Sequence, residues 1–396
     1  MLGIFSNFTK KGDLIMNKFK LAIVLVIIVI SSLLISCSQK AENNNKIKIG
    51  VILNLTGSIS KADEPKKLVL ESALKYLQDN SAPNDPVHKF DLIIQDGKSD
   101  AKEGISAFNK LYSEGVRIFI TGGSLNGMSL LPLTEKNKCL LMAVSGHPDF
   151  TKDTKYAIRL YPRIQIGSKM MVDTLNKNGV RKIYVLHTNE PFGKSYADEI
   201  VKQFKGKIVG NEEFQVTQID FKNIIAKLKG SGAERIVVIG YGIAEQNLIS
   251  QMIENKIYIP VMGSEVFYYA SNNLKNNYTS INNTPLITKT QFLAPLYVKN
   301  LLSLSGDTFT NYYRKEHNNN DPQMFGIFGA DALPLLQKCF TDNDSIVDID
   351  KIHSKLTALE EINSFSGNVS VMENGDINYP LILMKFDDKG NIVESK

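Results

Sequence analysis

Between residues 46 and 262 short apolar runs alternate with longer stretches of helical spacing, and no other feature narrows the fold as much. Lys46–Leu53 (KIKIGVIL) alternates and then turns wholly apolar, as a strand entering a core does. A polar loop with Thr56-Gly57 follows, and Pro65–Gln78 carries apolar residues three and four apart. The same reading predicts strands at Phe90–Gln95, Arg117–Thr121 and Cys139–Val144, with helices at Ala101–Tyr112 and Leu125–Asn137 between them. After Tyr161-Pro-Arg163 the pattern restarts. Helices are expected at Gly167–Asn178, Phe192–Phe204, Phe221–Lys229 and Ala244–Asn255, and strands at Lys182–His187, Lys207–Gly210, Arg235–Gly240 and Tyr258–Met262. Strands separated by helices of this length imply parallel sheets covered on both faces. The expected class is α/β, with two doubly wound units meeting near residue 163.

The rest of the chain breaks the alternation. Pro295–Leu304, Phe309–His317, Met324–Phe340 and Ile352–Glu361 read as helices without intervening strands. Phe365–Met372 and Tyr379–Phe386 then alternate as strands around Glu373-Asn-Gly-Asp376, an Asn-Gly hairpin signal. A helical segment returning to one lobe, followed by a hairpin added to the other, sends the chain between lobes several times. Such crossings make a hinge, the arrangement of proteins that close on a small ligand.

The other end carries a different signal. Leu21–Ile35 is apolar apart from Ser31 and Ser32, and follows the basic stretch Met16-Asn-Lys-Phe-Lys20. A membrane span needs about 20 such residues; a charged leader, an apolar middle and small residues at the exit make a secretory signal. Its final residues, Leu34-Ile35-Ser36-Cys37, resemble the lipobox of bacterial lipoproteins, although Ile35 is bulkier than usual. The resemblance implies that residues 1–36 are removed and that lipid is attached at Cys37, anchoring the protein to the bilayer. The alternative is a plain signal anchor with a free thiol. The leader looks complete from Met16, so residues 1–15 are expected to be a mis-called start or dispensable. Polar residues 37–45 read as a tether.

Composition excludes several classes. Residues 1–36 hold four lysines against Asp13, which is +3 of the formal +5, leaving about +2 on the remainder. That balance argues against nucleic acid as a partner. The 360 residues after the leader suffice for two domains, each with its own core. Cys139 and Cys339 read as buried thiols, with a disulfide left open because sequence does not report Cα geometry. Five histidines show no metal spacing, and there is no His-Glu-x-x-His, nucleophile elbow or Walker loop. Ile239-Gly-Tyr-Gly-Ile-Ala-Glu245 imitates a dinucleotide fingerprint, but puts a glutamate where the third glycine belongs. No cofactor and no enzymatic activity are expected.

The order of elements resembles the type I periplasmic binding proteins, specifically the branched-chain amino acid and amide receptors of ABC transporters. The resemblance is carried by IKIGVILNLTG, LIIQDGKSDAKEGISAFNKL, ITGGS, MAVSGHPDFT, YAIRLYP, HTNEPFGKSYADE, FGADAL and FSGNVSVMENGD, spread over residues 46–386. It implies lobe 1 from 46–163 plus 289–361 and lobe 2 from 164–288 plus 362–396. A small amino-acid-like, carboxylate or amide ligand would lie between them, and an ABC permease in the inner membrane would be the partner. A sensory lipoprotein, or a surface lipoprotein with a degenerate cleft, remains the alternative.

Ligands of open parallel sheets bind beyond the carboxyl ends of strands, where helix N-termini offer free N–H groups. In lobe 1 this points to Ser124 and Asn126 in Gly122–Asn126, and to Ser145, Gly146 and His147; Gly, Ser and Asn are equally ordinary turn and cap residues. In lobe 2 it points to Tyr241. The resemblance adds Phe192 as a pocket aromatic and Glu265 as the carboxylate that receives a ligand ammonium; otherwise Glu265 serves a helix N-terminus. One departure stands out: Gly146 lacks the hydroxyl that amino-acid receptors carry there, which weakens leucine-type ligands.

Overall fold

The computed structural model describes residues 46–57, 59–240, 243–298, 308–341 and 347–395. The expectations for the leader, Cys37 and the tether, for Tyr241 and for residues 299–304 lie outside the described residues. No helix among those described is long and apolar enough to cross a membrane.

The first sheet contains β1 (Ile47–Leu53), β2 (Phe90–Asp96), β3 (Ile118–Thr121), β4 (Leu140–Ala143) and β5 (Ala157–Arg159), in the order β2-β1-β3-β4-β5 and parallel throughout. Its helices are α1 (Ser60–Asn80), α2 (Ala101–Ser113) and α3 (Ser124–Lys136). The period of two in β1 puts Ile49 and Val51 in one cluster with Val69 and Leu70 of α1. Ile52 turns the other way, into a cluster with Phe108 and Leu111 of α2 and Leu130 of α3. Both faces are therefore dry, as the all-apolar run requires.

The second sheet runs β14-β13-β10-β9-β8-β6-β7. It comprises β6 (Lys182–Thr188), β7 (Lys207–Phe214), β8 (Arg235–Ile239), β9 (Val261–Gly263), β10 (Gln291–Pro295), β13 (Leu381–Phe386) and β14 (Ile392–Glu394). Strands β6 to β10 pair in parallel, while β13 and β14 are antiparallel additions at the edge. Helices α4 (Ile164–Lys177), α5 (Pro191–Gln203), α6 (Lys222–Gly230) and α7 (Ile243–Glu254) complete the alternation. Strands β11 (Ile362–Ser364) and β12 (Gly367–Val369) form a separate two-stranded sheet. The chain passes between the large sheets three times: after β5, after β10, and between the helix Ile349–Thr357 and β13.

Several expectations are corrected. Residues 291–295, assigned to lobe 1 by the boundary at 289 and partly to a helix starting at Pro295, are instead β10 of the second sheet. Their short apolar run has no period that separates strand from helix, and the open edge of β9 decides. The expected helix Met324–Phe340 divides at Asp331 into Met324–Ala330 and Ala332–Cys339. The last helix begins earlier than expected, because Asp348 caps it by accepting from the Lys351 N–H. The Asn-Gly turn forms, with Gly375 at φ 83°, but no regular hairpin flanks it. A lone bridge joins Val371 to Ile377, and Leu381–Phe386 pairs with β10 and β14 instead. β5 and β14 were too short to register in the sequence. Cys139 and Cys339 are free and buried, and burial pushes their thiols up to about 11 and about 12.

Candidate functional site

The loops leaving β3, β4 and β6 converge, as the carboxyl ends of parallel strands must. They border a cavity of about 280 Å³. Gly122, Gly123 and Ser124 lead into α3; Val144 and Gly146 follow β4; Glu190, Pro191 and Phe192 open α5. Asp63 and Lys66 enter from α1, Tyr161 from the first crossing and Phe325 from the helix Met324–Ala330.

One wall is polar and built in depth. Lys66 Nζ donates to Asp63 Oδ1 at 2.5 Å and to the Gly122 carbonyl, with both side chains at or below a tenth exposed. The other Asp63 oxygen accepts from the Asn54 amide and from Asn54 Nδ2, each at 2.9 Å. Asn54 Oδ1 in turn accepts from Asn126 Nδ2 at 3.2 Å and from the Ser99 N–H at 2.9 Å. A buried ammonium is tolerable only with such a partner, and the asparagine chain holds that partner still.

The opposite wall is aromatic. Tyr161 stacks on Phe325, with centroids 6.0 Å apart and planes 17° from parallel, and meets Phe192 edge-on at 6.1 Å. Gly146 is what lets Phe192 approach: a Cβ there would lie 2.7 Å from Phe192 Cδ2. The hydroxyl absent at position 146 has therefore been exchanged for ring volume.

Glu265 does not line the cavity. It is 1% exposed, and its carboxylate accepts from Tyr161 Oη at 2.5 Å and Tyr196 Oη at 3.0 Å. Burial raises its carboxyl, and the two tyrosine hydrogen bonds offset part of that rise. Glu245, also buried, is raised well above the usual range by burial and by the neighbouring Glu265 charge. Among the described residues no group of three or more His, Cys, Asp or Glu could hold a metal ion.

The sequence of residues 46–391 matches the family described as periplasmic binding protein. The chain belongs to the periplasmic binding protein family. A Leu/Ile/Val-binding protein homolog from Brucella melitensis is 29% identical over 217 residues, covering 53% of this chain and 58% of that protein. The chain thus spans little more than half the length of that curated relative. Among solved structures, the branched-chain amino acid binding protein LivJ of Streptococcus pneumoniae, in complex with isoleucine, superposes with a TM-score of 0.74 at 17% identity. That match covers 88% of this chain and 100% of that one. A solute-binding protein from Rhodopseudomonas palustris in complex with 3,4-dihydroxybenzoic acid also gives 0.74 at 17% identity, over 89% of this chain and 96% of that one. At such identities the likeness is one of fold.

In this periplasmic binding protein the candidate residues divide by position. Ser124, Gly146 and Phe192 line the cavity. Ser145 lies behind it, fully buried, and its hydroxyl donates to Ser124 Oγ at 3.1 Å. Asn126 is buried in the asparagine chain. His147 turns its ring to the Asp149 N–H, and its carbonyl accepts from Arg159. Sequence reasoning passed over Asp63, Lys66, Tyr161 and Phe325, and reached Glu190 only as part of the strand-exit loop Asn189-Glu-Pro-Phe192. One signal was present for the first two: they occupy the apolar stripe of α1 that continues through Val69, Leu70 and Ala73.

Proposed function

We propose that the protein is the substrate-binding lipoprotein of an ABC transporter, anchored through Cys37 outside the cytoplasm and passing its ligand to a permease. Lobes built on the two sheets would close about the three crossings and grip a small carboxylate with an apolar body. The observation that carries this reading is a cavity bordered by helix N-termini and loops of both sheets, polar on one wall and aromatic on the other. The isoleucine and dihydroxybenzoate complexes of its structural neighbours support a ligand of this size. Two features favour a carboxylate over an α-amino acid. Glu265 spends its oxygens on Tyr161 and Tyr196, and Gly146 offers no hydroxyl.

Residues 38–396, screened by thermal shift against amino acids, amides and carboxylates, should show a saturable rise with carboxylates, because binding to the folded state raises its stability. Silence across the whole library would refute solute capture. For the anchor, cells fed a radiolabelled fatty acid should label the wild-type chain and not Cys37→Ser; equal labelling of both would remove Cys37 from the proposal.

A further inference from the structure

Two charged side chains on the cavity wall come from opposite sheets, and neither is a ligand residue that the resemblance supplies. Lys66 commits two of its three ammonium hydrogens, to Asp63 and to the Gly122 carbonyl. Its Nζ lies 5.3 Å from the centre of the Phe325 ring, at the junction of the polar and aromatic walls. The third hydrogen has no acceptor among the described residues. Glu190 lines the same cavity from the N-cap of α5, where a carboxylate would ordinarily serve the helix; it makes no capping hydrogen bond. The side chain is half-buried and has no hydrogen bond or ion pair to any described residue. Burial alone raises its carboxyl. An acceptor partly removed from water and left without a donor is costly unless something entering the cavity supplies one.

We propose that Lys66 and Glu190 set the polarity of the ligand: a small, flat carboxylate places its anionic end at Lys66 and an O–H or N–H donor at Glu190, with Tyr161, Phe192 and Phe325 against its body. This rests on the cavity being the solute site. The charge-assisted bond to Lys66 is the stronger of the two polar contacts, since both partners are ionised. Glu190 acts as the selector, rewarding a donor at the far end of the molecule. Because the two residues belong to different sheets, a ligand satisfying both also holds the lobes together. An α-amino acid finds no acceptor at Glu265, whose oxygens already accept from Tyr161 and Tyr196.

Calorimetric titration with benzoate, 4-hydroxybenzoate and L-leucine tests the assignment. The 4-hydroxy compound should bind at least about tenfold tighter than benzoate, the value of one hydrogen bond to a charged group. Glu190→Ala should abolish that gap. Lys66→Met alone would strand Asp63 as a buried charge, so Lys66→Met is paired with Asp63→Asn. The pair should weaken both benzoates about tenfold or more while the protein still unfolds cooperatively. Equal binding of the two benzoates, a gap that survives Glu190→Ala, or leucine binding tighter than either would overturn the proposal. Saturable binding of other library members, with none of these three bound, would also overturn it while leaving solute capture intact. Silence across the library would instead remove the capture reading itself.

Discussion

Asp376→Ala is expected to cost about 3–5 kcal/mol of stability, the usual penalty for removing one partner of a buried ion pair. Asp376 and Arg159 are 4% and 2% exposed in their side chains and pair at 2.8 Å. Asp376 also accepts from Thr151 at 2.7 Å and from Asn374 Nδ2 at 3.0 Å. Arg159 spends its remaining donors on the carbonyls of Ser145, His147 and Pro148 and on Thr151, so one guanidinium fixes the loop that carries Gly146. The Arg159 amide adds a bond to the Gly375 carbonyl at 2.9 Å. Without Asp376 the guanidinium stays buried among dipoles with no adjacent counter-charge, and the C-terminal turn loses its hold on β5. Denaturant unfolding should show the loss as a lower midpoint. Replacing both partners, Arg159→Met with Asp376→Leu, should cost less than Asp376→Ala alone, because no fully buried charge is stranded; Arg163, 3.7 Å from the other Asp376 oxygen, is a third exposed. Burial pushes the Asp376 carboxyl up, but Arg159 and Thr151 outweigh it and hold it below its usual 3.8. The contribution is therefore complete above about pH 4 and fades as pH falls through the depressed value. The gap between wild type and Asp376→Ala should narrow in acid; a gap that widens there would show the pair is not its source.

Gly146→Val should weaken ligand binding by about 5- to 150-fold, the equivalent of the ~1–3 kcal/mol typical of overpacking. Even the first carbon added at this position would lie 2.7 Å from Phe192 Cδ2. The ring has little freedom to retreat, since it is held edge-on between Tyr161 at 6.1 Å and Tyr196 at 5.6 Å. Either the aromatic wall shifts into the cavity or the two sheets separate; both outcomes spoil the closed site. Phe192→Ala in the same chain makes room for the valine and should recover part of the lost affinity, the coupling expected of residues in contact. Additive losses from the two substitutions would mean that the ring leaves Gly146 when ligand is bound.

Much of the architecture was legible in the residues. Ile49, Val51 and Ile52 announce a strand buried on both faces, and the stripe Val69, Leu70, Ala73 announces a helix covering it. Ser124, Gly146 and Phe192, all near strand exits, line the cavity. Lys66 was legible only through its place on that stripe, because its neighbour Lys67 has the same chemistry and differs only in the face it presents; the Lys67 side chain is 41% exposed and that of Lys66 10%. β10 escaped notice because an apolar run of five residues carries no period, and the edge it joins is formed by distant segments.

By itself the sequence determined the alternation of strands and helices, and with it the parallel sheets and the end of each sheet where a ligand belongs. Those properties follow from side-chain periods of 2 and 3.6, which are local. Only the tertiary structure decided that Glu265 is closed off by Tyr161 and Tyr196, 104 and 69 positions away, and that Glu190 stands without a partner among the described residues. A carboxylate's role depends on which donors reach it, and that is set by how the crossings bring the two sheets together.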